Sequence, residues 1–217
     1  MGEIVKIDVV MRDLLCDFLM LQIIRTKENR EDMRQSATQF KNFLMQSGLF
    51  TDQMAEVLSL DTENSIKKSH LELILFDTEF KIRLIDILNR HIWMIFKNTT
   101  TMPFYTSDHP VVKYPHRIRE ERSDTGYKSE GIEIAIPLST THLLVLVERT
   151  LFKHYEQYEN EVLELNDMRH VTFYNSLQVL QSYRTLLCCE NRFDLATEMV
   201  DTNPHLRKLD RERLGPA

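Results

Sequence analysis

Thr106, Ser107, Asp108 and His109 bring hydroxyl, carboxylate and imidazole groups together at the end of an apolar, aromatic segment. A strand that ends in such residues places reactive groups at the rim of a sheet, where scaffolds commonly present catalytic or binding groups. Asp108 is therefore a candidate acid–base or metal-binding carboxylate, with Ser107 as the group that fixes the local backbone. The alternative is a structural turn, because Ser and Asp hydrogen-bond nearby backbone and Pro110 holds His109 extended.

These neighbouring residues do not form a catalytic triad. Successive side chains of a strand point to opposite faces, so Ser107 and His109 share a face and Asp108 lies across from them. The Gly-x-Ser-x-Gly motif of a nucleophile elbow is absent. The sequence also contains no phosphate-binding glycine motif, no Cys-x-x-Cys and no dinucleotide fingerprint, so it identifies neither a cofactor nor a metal site.

A second group of candidates lies at the end of the first predicted helix. Phe18, Gln22 and Arg25 recur there at helical spacing. An arginine that ends an apolar face needs an anion or solvent, because burying an unpaired charge is costly. Gln22 and Arg25 are therefore candidates for binding a phosphate or carboxylate ligand. The alternatives are a structural ion pair, with Asp77 or Asp108 as partner, and a side chain that reaches solvent.

His70 and Asp77 interrupt the apolar stripe of the most periodic segment, which we predict to be one helix over residues 65–91. Facing one cleft, His70 could carry a proton and Asp77 could bind a ligand. The two residues lack the His-x-x-x-His or Glu-x-x-His spacing of a helical metal site. A hydrogen-bonded core histidine and a structural aspartate are the alternative.

Two further polar groups follow along the chain. Asn175, Gln178 and Ser182 form a polar seam on a predicted helix, and this seam can hydrogen-bond either a ligand or the edge of an adjacent strand. The segment 137–142, between two predicted strands, is rich in hydroxyl groups, which we expect at the same rim as Ser107. A plain hairpin turn explains that segment equally well.

The helices and strands that must position these groups are predicted to form a single α+β domain over residues 1–217. Residues 1–91 are predicted to be helical, residues 92–149 to form a small antiparallel sheet with an exposed loop at 113–130, and residues 150–217 to hold C-terminal helices and a charged tail. The N-terminal helical layer is expected to pack on the sheet. Within the first part, a second helix is expected to stop at Gly48 and a third, capped by Thr51, to cover residues 54–58. Later, Asn166 is the predicted cap of a helix that ends near Gln181.

Composition limits the classes of function. With 42% hydrophobic residues the 217-residue chain can form a core, and a net charge of −6 disfavours a protein dominated by phosphate-backbone binding. A basic and aromatic cluster within 113–130 still leaves nucleic acid as a partner to consider. No run approaches the roughly 18 apolar residues of a spanning helix. The three cysteines lack metal spacing and the amino terminus lacks a signal-peptide pattern, so we expect a cytoplasmic protein without a membrane partner.

Several segments together resemble a bacterial family known as domain of unknown function 4238. The matching segments are Gln22-Ile23-Ile24-Arg25-Thr26, the strand around Trp93, residues 104–111, Ile136-Pro137-Leu138-Ser139, and Leu165-Asn166 before a helix with Asn175. The resemblance implies membership of a group and no particular mechanism. Members usually begin with a His-x-x-Pro-x-x-Tyr-Leu-like segment, which this sequence does not contain.

The leading hypothesis is a hydrolase-like effector in bacterial defence or stress, with a polar cleft between the predicted long helix and the sheet. Its proposed catalytic residues are Asp108, Ser107 and His70, and its proposed ligand-binding residues are Arg25, Gln22, Asp77 and Asn175. The alternative is a non-enzymatic binding protein that regulates a partner, and a nucleic-acid-binding protein is the third hypothesis. Whether the partner is a small molecule or a protein, and whether the chain is an enzyme at all, stays open at this point.

Overall fold

The structure is a computed structural model that describes residues 6–47, 59, 61–118 and 125–211. The helices in these ranges are α1 (Val9–Ile24), α2 (Lys27–Gln46), α3 (Glu63–Leu75), α4 (Thr78–Asn89), α5 (Met168–Gln181) and α6 (Asp194–Thr202). The strands are β1 (Ile92–Asn98), β2 (Thr106–Ser107), β3 (Val112–Pro115), β4 (Ile132–Pro137), β5 (His142–Val147), β6 (Val162–Leu165) and β7 (Leu186–Leu187). Short 3-10 helices cover Lys153–Tyr158 and Pro204–Arg207.

Five of these strands form one sheet in the order β3-β4-β5-β1-β6. All neighbouring pairs are antiparallel except β1 and β6, which run parallel. The remaining strands, β2 and β7, pair with each other as a separate two-stranded unit. The predicted α+β class and the mostly antiparallel sheet are confirmed. The pairing of β6 with β1 corrects the prediction that the part after residue 150 is helical only.

The sheet is covered by helices on both faces. Ile132, Ile134 and Ile136 of β4 belong to a core cluster with residues of α1 and α4. The alternate residue Ala135 belongs to a second cluster, with residues of α5 such as Val171. The central strands are therefore buried on both sides, which explains their nearly continuous apolar runs. The predicted packing of the N-terminal helices on the sheet is confirmed, and α5 covers the opposite face.

Helix α1 begins at an N-cap, Asp8, whose Oδ1 accepts a hydrogen bond from the backbone N–H of Met11 at 2.7 Å. The helix is apolar on two faces, and the face toward the core contains Leu19 and Ile23. The apolar face that was predicted to end at Arg25 is not buried at Phe18, which is 41% exposed. Periodicity could not choose between the faces, because apolar residues recur at helical spacing on both of them.

The single helix predicted over residues 65–91 was wrong, because the chain breaks it into α3 and α4 at Phe76. Asp77 is the N-cap of α4, and its Oδ1 accepts from the N–H of Phe80 at 2.8 Å. The apolar stripe continues in register across the break, which hid the boundary. Asp77 therefore has a structural role that its place in the stripe did not suggest.

Smaller corrections concern element boundaries. The N-cap of α5 is Asp167 rather than Asn166. The start of the loop predicted over 113–130 belongs to β3. The predicted stop at Gly48 and the predicted third helix at 54–58 lie outside the described residues. None of the helices in the described ranges is both long enough and apolar enough to cross a membrane.

Candidate functional site

The extended chain around Tyr105 is fastened to α5 by a side-chain amide. Asn175 is fully buried, its Oδ1 accepts from the N–H of Tyr105 at 2.8 Å, and its Nδ2 donates to the carbonyl of Pro103 at 3.0 Å. The amide therefore pairs with the backbone as a neighbouring strand would. The polar seam of this helix was expected to hydrogen-bond either a ligand or the edge of a strand, and this contact is of the second kind.

The same face of α5 supplies two more amides. Gln178 accepts from the hydroxyl of Ser107 at 2.8 Å and donates to the carbonyl of Pro110 at 2.8 Å. Gln181 accepts from the N–H of Lys113 at 2.9 Å and donates to the carbonyl of the same residue at 2.7 Å. The helix thus holds an extended segment whose backbone would otherwise have unpaired polar groups.

The carboxylate of Asp108 is bound by the backbone that follows α5. Its Oδ1 accepts from the N–H of Tyr183 at 2.9 Å, and its Oδ2 accepts from the N–H groups of Arg184 at 3.0 Å and Thr185 at 3.1 Å. Three consecutive amides directed at one carboxylate satisfy most of its acceptor positions. The hydroxyl of Ser107 also accepts from the N–H of His109 at 3.2 Å. The structure therefore places Asp108 and Ser107 in structural hydrogen bonds.

His109 joins the same segment to the junction between α1 and α2. Its Nδ1 lies 2.9 Å from the hydroxyl of Thr26, and both residues are buried. Thr26 is the N-cap of α2 and accepts from the N–H of Asn29 at 3.1 Å. The sequence had placed His109 within the reactive segment without giving it a role, and the structure shows it bridging the helical layer and the segment that contains Asp108.

His70 and Arg25 lie close to this junction along the chain but face different surroundings. The Nε2–H of His70 donates to the carbonyl of Ile24 at 2.7 Å, and the residue is only 7% exposed. Burial lowers the pKa of His70, which favours the neutral ring. The guanidinium of Arg25 is exposed, and its Nε donates to Oε1 of Gln22 at 2.9 Å. Each polar group therefore has a partner within the protein.

The predicted meeting of these residues around one hollow is not what the structure shows. Asp77 lines an open depression of about 520 Å³ together with Ser69 and Phe76. Neither this depression nor the cleft described next is lined by Arg25 or Asp108. Gln22, His70 and Asn175 are likewise absent from the linings of both cavities. The structure brings Ser107, Asp108 and the α5 seam together, and places the other predicted residues elsewhere.

A cleft of about 320 Å³ lies between three segments that are far apart in sequence. One wall is the β4–β5 turn at 137–140, the opposite wall is 187–189, and Phe104 and Thr106 lie between them. The N–H of Phe104 donates to the carbonyl of Thr140 at 3.0 Å, which holds the turn against the extended segment. The pairing of β2 with β7 brings the second wall into place.

The hydroxyl groups of the turn are oriented by backbone contacts. The Oγ of Ser139 accepts from the N–H groups of Thr141 at 3.2 Å and His142 at 3.0 Å. The same oxygen lies 3.3 Å from Nδ1 of His142. The sequence predicted these hydroxyls at the rim that holds Ser107. In the structure Ser107 turns toward α5, and its neighbour Thr106 lines the cleft instead.

Two adjacent thiols form part of the second wall. Cys188 and Cys189 are both free thiols and both line the cleft. Partial desolvation, together with the neighbouring thiol of Cys188, raises the pKa of Cys189. A raised pKa keeps a thiol protonated at neutral pH and makes it a weak nucleophile. Sequence reasoning noted both cysteines but not their place in the cleft, because the two-residue strand β7 is too short to give a periodic pattern.

The basic cluster that suggested nucleic acid is engaged with protein groups where it is described. The Nζ of Lys113 donates to the carbonyl of Thr125 at 3.0 Å and lies 4.6 Å from the ring centroid of Tyr127. Arg117 forms an ion pair with Glu130. Burial lowers the pKa of Lys113. In the described ranges, no three His, Cys, Asp or Glu side chains lie together as metal ligands would.

The fold and the cleft define an α+β protein with a sheet covered on both faces and an open cleft rimmed by hydroxyl and thiol groups. The chain belongs to the family described as Protein of unknown function (DUF4238), whose family model matches residues 2–191. Comparisons with curated proteins and with solved structures gave no match. The two segments that contribute Phe104 and Ser139 to the cleft are among those on which the resemblance to this family was based.

Proposed function

We propose that this chain is a binding protein for a small, largely apolar molecule that carries a hydroxyl or carbonyl group. The observation that carries the proposal is the cleft of about 320 Å³, because it combines apolar surface from Phe104, Leu138 and Leu187 with the hydroxyls of Thr106 and Ser139. Ligand sites of about this size are usually apolar with a few well-placed polar groups.

The contacts of Asp108, Ser107 and His70 support binding over the hydrolase-like role predicted for them. A general base needs a lone pair that faces the substrate. The carboxylate oxygens of Asp108 accept from backbone amides, Ser107 donates to Gln178, and His70 is buried against a carbonyl. Binding in the cleft requires none of these groups to leave its partner.

Amide chemical shifts in a titration with cyclohexanol or phenol would test the proposal, since each is an apolar ring with one hydroxyl. We expect saturable shifts at the amides of Thr106, Ser139 and Cys188. Thr140→Arg should abolish them, because residue 140 lines the cleft. Thr141→Arg is the matched control, because Thr141 is next to residue 140 and exposed, but does not line the cleft. Non-saturable shifts, or equal shifts in both variants, would contradict the proposal.

Hydrolysis in the same cleft is the second candidate, and one contact favours it. The Oγ of Ser139 lies 3.3 Å from Nδ1 of His142, within reach of proton transfer from a hydroxyl nucleophile. A hydrolase-like effector in defence or stress would use this pair. The test is hydrolysis of 4-nitrophenyl butyrate by the wild type, by Ser139→Ala and by the control Thr172→Ala. Loss confined to Ser139→Ala supports the candidate, and equal rates remove it.

A reducing compartment such as the bacterial cytoplasm is part of the proposal. Three cysteines are free thiols, and the buried thiol of Cys16 donates to Oδ1 of Asn89 at 3.2 Å. Oxidation of Cys16 would remove this donor. Burial raises the pKa of Cys16 to about 11, which protects it further as a neutral thiol. Fractionation of cells that express the full chain, followed by thiol labelling, would test the location.

A further inference from the structure

Glu133 places a carboxylate in the apolar layer between the sheet and α5. Its neighbours Ile132 and Ile134 point to the other face of the sheet, so Glu133 lies on the face that α5 covers. The residue is 7% exposed, and its Oε1 is buried with no hydrogen-bond partner among the described residues. A carboxylate is rarely found in such a place without a specific partner, because losing hydration is costly.

The partner of this carboxylate is the imidazole of His116. Nε2 of His116 lies 2.7 Å from Oε2 of Glu133. The carboxylate can only accept, so it fixes a proton on Nε2 and leaves the lone pair of the neutral ring on Nδ1. The His116 side chain is 33% exposed, and Nδ1 makes no hydrogen bond within the described part of the chain. The ring is therefore anchored at its Nε2 edge, and its Nδ1 edge is not hydrogen-bonded to any described residue.

Aromatic rings hold the imidazole in this orientation. His116 packs edge to face against Tyr114, with ring centroids 4.8 Å apart, and against Phe152 at 5.0 Å. The hydroxyl of Tyr174 lies beside Glu133, and burial, followed by the charge of Glu133, raises the pKa of Tyr174 well above its usual value. Tyr174 therefore stays a neutral phenol. The arrangement is an imidazole oriented from behind by a carboxylate.

We propose that His116 and Glu133 form a nucleophilic site, separate from the cleft, that accepts acyl groups from activated esters and anhydrides. Nδ1 of His116 attacks the acyl carbon, and the bond from that carbon to the leaving oxygen breaks. The leaving oxyanion departs with the bonding electron pair and takes a proton from water, while the Nε2 proton of His116 moves to Glu133. A second water then attacks the acyl-imidazole and gives one proton to the hydroxide left by the first step, the carboxylic acid leaves, and the Glu133 proton returns to Nε2.

Reaction with diethyl pyrocarbonate compares this histidine with exposed ones in the same molecule. His170 and His205 are exposed and lie outside the site. His116 is also exposed, so accessibility alone would give the three residues similar rates. The proposal predicts that His116 is acylated about tenfold faster than either, because Glu133 raises the nucleophilicity of the ring. Peptide mass spectrometry resolves the three rates, and a rate at His116 no higher than at His170 or His205 overturns the proposal.

Glu133→Gln tests the carboxylate itself. The glutamine oxygen can still accept from Nε2–H of His116, so the variant removes the charge while keeping the size and the contact. We expect the acylation rate of His116 to fall about tenfold. Glu130→Gln is the control, since Glu130 pairs with Arg117, the residue next to His116, and should leave the rate unchanged. If Glu133→Gln fails to fold, the acylation rates of the three histidines in the wild type still test the proposal.

Turnover of 4-nitrophenyl acetate gives an independent measurement. We expect an acetyl group on His116 after acid quenching, and we expect His116→Asn to reduce hydrolysis to the rate of buffer. His170→Asn should keep the wild-type rate. Hydrolysis by folded His116→Asn at the wild-type rate overturns the proposal.

Discussion

Asp108 and Thr185 are joined by two reciprocal hydrogen bonds. The backbone N–H of Asp108 donates to the carbonyl of Thr185 at 3.1 Å, and the N–H of Thr185 donates to Oδ2 of Asp108 at 3.1 Å. The contact lies next to the β2–β7 pairing, in which Ser107 is opposite Leu186. The Asp108 side chain thus extends a two-residue ladder and fixes the chain that leads to Cys188 in the cleft.

Replacing Asp108 with Asn should lower the free energy of unfolding by about 1.5–3 kcal/mol. The amide NH₂ of asparagine would face backbone N–H groups, of which Tyr183, Arg184 and Thr185 now donate to the carboxylate. Urea denaturation followed by circular dichroism measures the change. Asp77→Asn is the control, because asparagine is as good an N-cap as aspartate. Equal stability of Asp108→Asn and the wild type would show that the carboxylate does not hold this turn.

Asn175→Leu should leave the N–H of Tyr105 and the carbonyl of Pro103 buried without partners. We expect a loss of about 2–6 kcal/mol in the free energy of unfolding, because each of the two unsatisfied buried groups costs about 1–3 kcal/mol. Hydrogen exchange at the Tyr105 amide should accelerate more than exchange elsewhere in the core. Gln181→Leu is the matched control, since its partner Lys113 is only partly buried and water can replace the lost amide. Similar losses in both variants would contradict the role given to burial.

The helices and central strands were predictable because each carries a long apolar pattern. The strands β4 and β5 have runs that alternate or continue over six residues, and they flank the segment 137–142 that was predicted to connect two strands. The four-residue strand β6 and the two-residue strand β7 were not predicted, because backbone pairing with distant segments creates them. A strand that ends at Thr106 and Ser107 was expected, and β2 lies there. The boundary at Asp77 was missed although Asp before Thr78 and Glu79 is an N-cap signal.

The cleft and the Glu133 site could not be predicted for two different reasons. The cleft depends on the pairing of Thr106 with Leu187, which no local pattern encodes. At Glu133 the local pattern misled, because alternation with Ile132 and Ile134 indicates a strand whose polar side faces solvent. Helix α5 covers that face, so the charged residue is buried. Sequence periodicity reports which residues share a face, and it does not report what covers the face.

Gly131 should tolerate alanine poorly. Its φ is +78°, which residues with a Cβ rarely adopt, and an added Cβ would lie 2.7 Å from Cδ2 of Leu151. We expect Gly131→Ala to lower the free energy of unfolding by about 1–3 kcal/mol. Gly126→Ala is the control, since the nearest atom to its added Cβ is the flexible Oγ of Ser129 at 3.3 Å. Because Gly131 precedes β4 and its carbonyl accepts from the N–H of His116 at 3.0 Å, the variant should also lower the acylation rate of His116. Unchanged stability would contradict the predicted strain.

The stability of the protein should fall as the pH is lowered through the ordinary histidine range. Burial lowers the pKa of His70 from 6.5, and the hydrogen bond to Ile24 opposes this shift only in part. At pH values between the lowered pKa of the folded state and 6.5, the unfolded chain binds more protons than the folded protein does. Adding acid therefore stabilises the unfolded chain relative to the folded protein. The stability from His70 is therefore complete above about pH 6.5 and decreases below it. Burial lowers the pKa of His91 as well, which adds a contribution of the same sign.

His70→Gln isolates this contribution, because the glutamine amide can still donate to the Ile24 carbonyl but does not titrate. Urea midpoints measured between about pH 5 and 8 should fall less steeply with acid in the variant than in the wild type. The carboxylates and His91 are common to both proteins, so they cancel in the difference between the two curves. Parallel curves would mean that His70 has the same proton affinity in the folded and unfolded states. That result would contradict the lowered pKa expected from its burial against the end of α1.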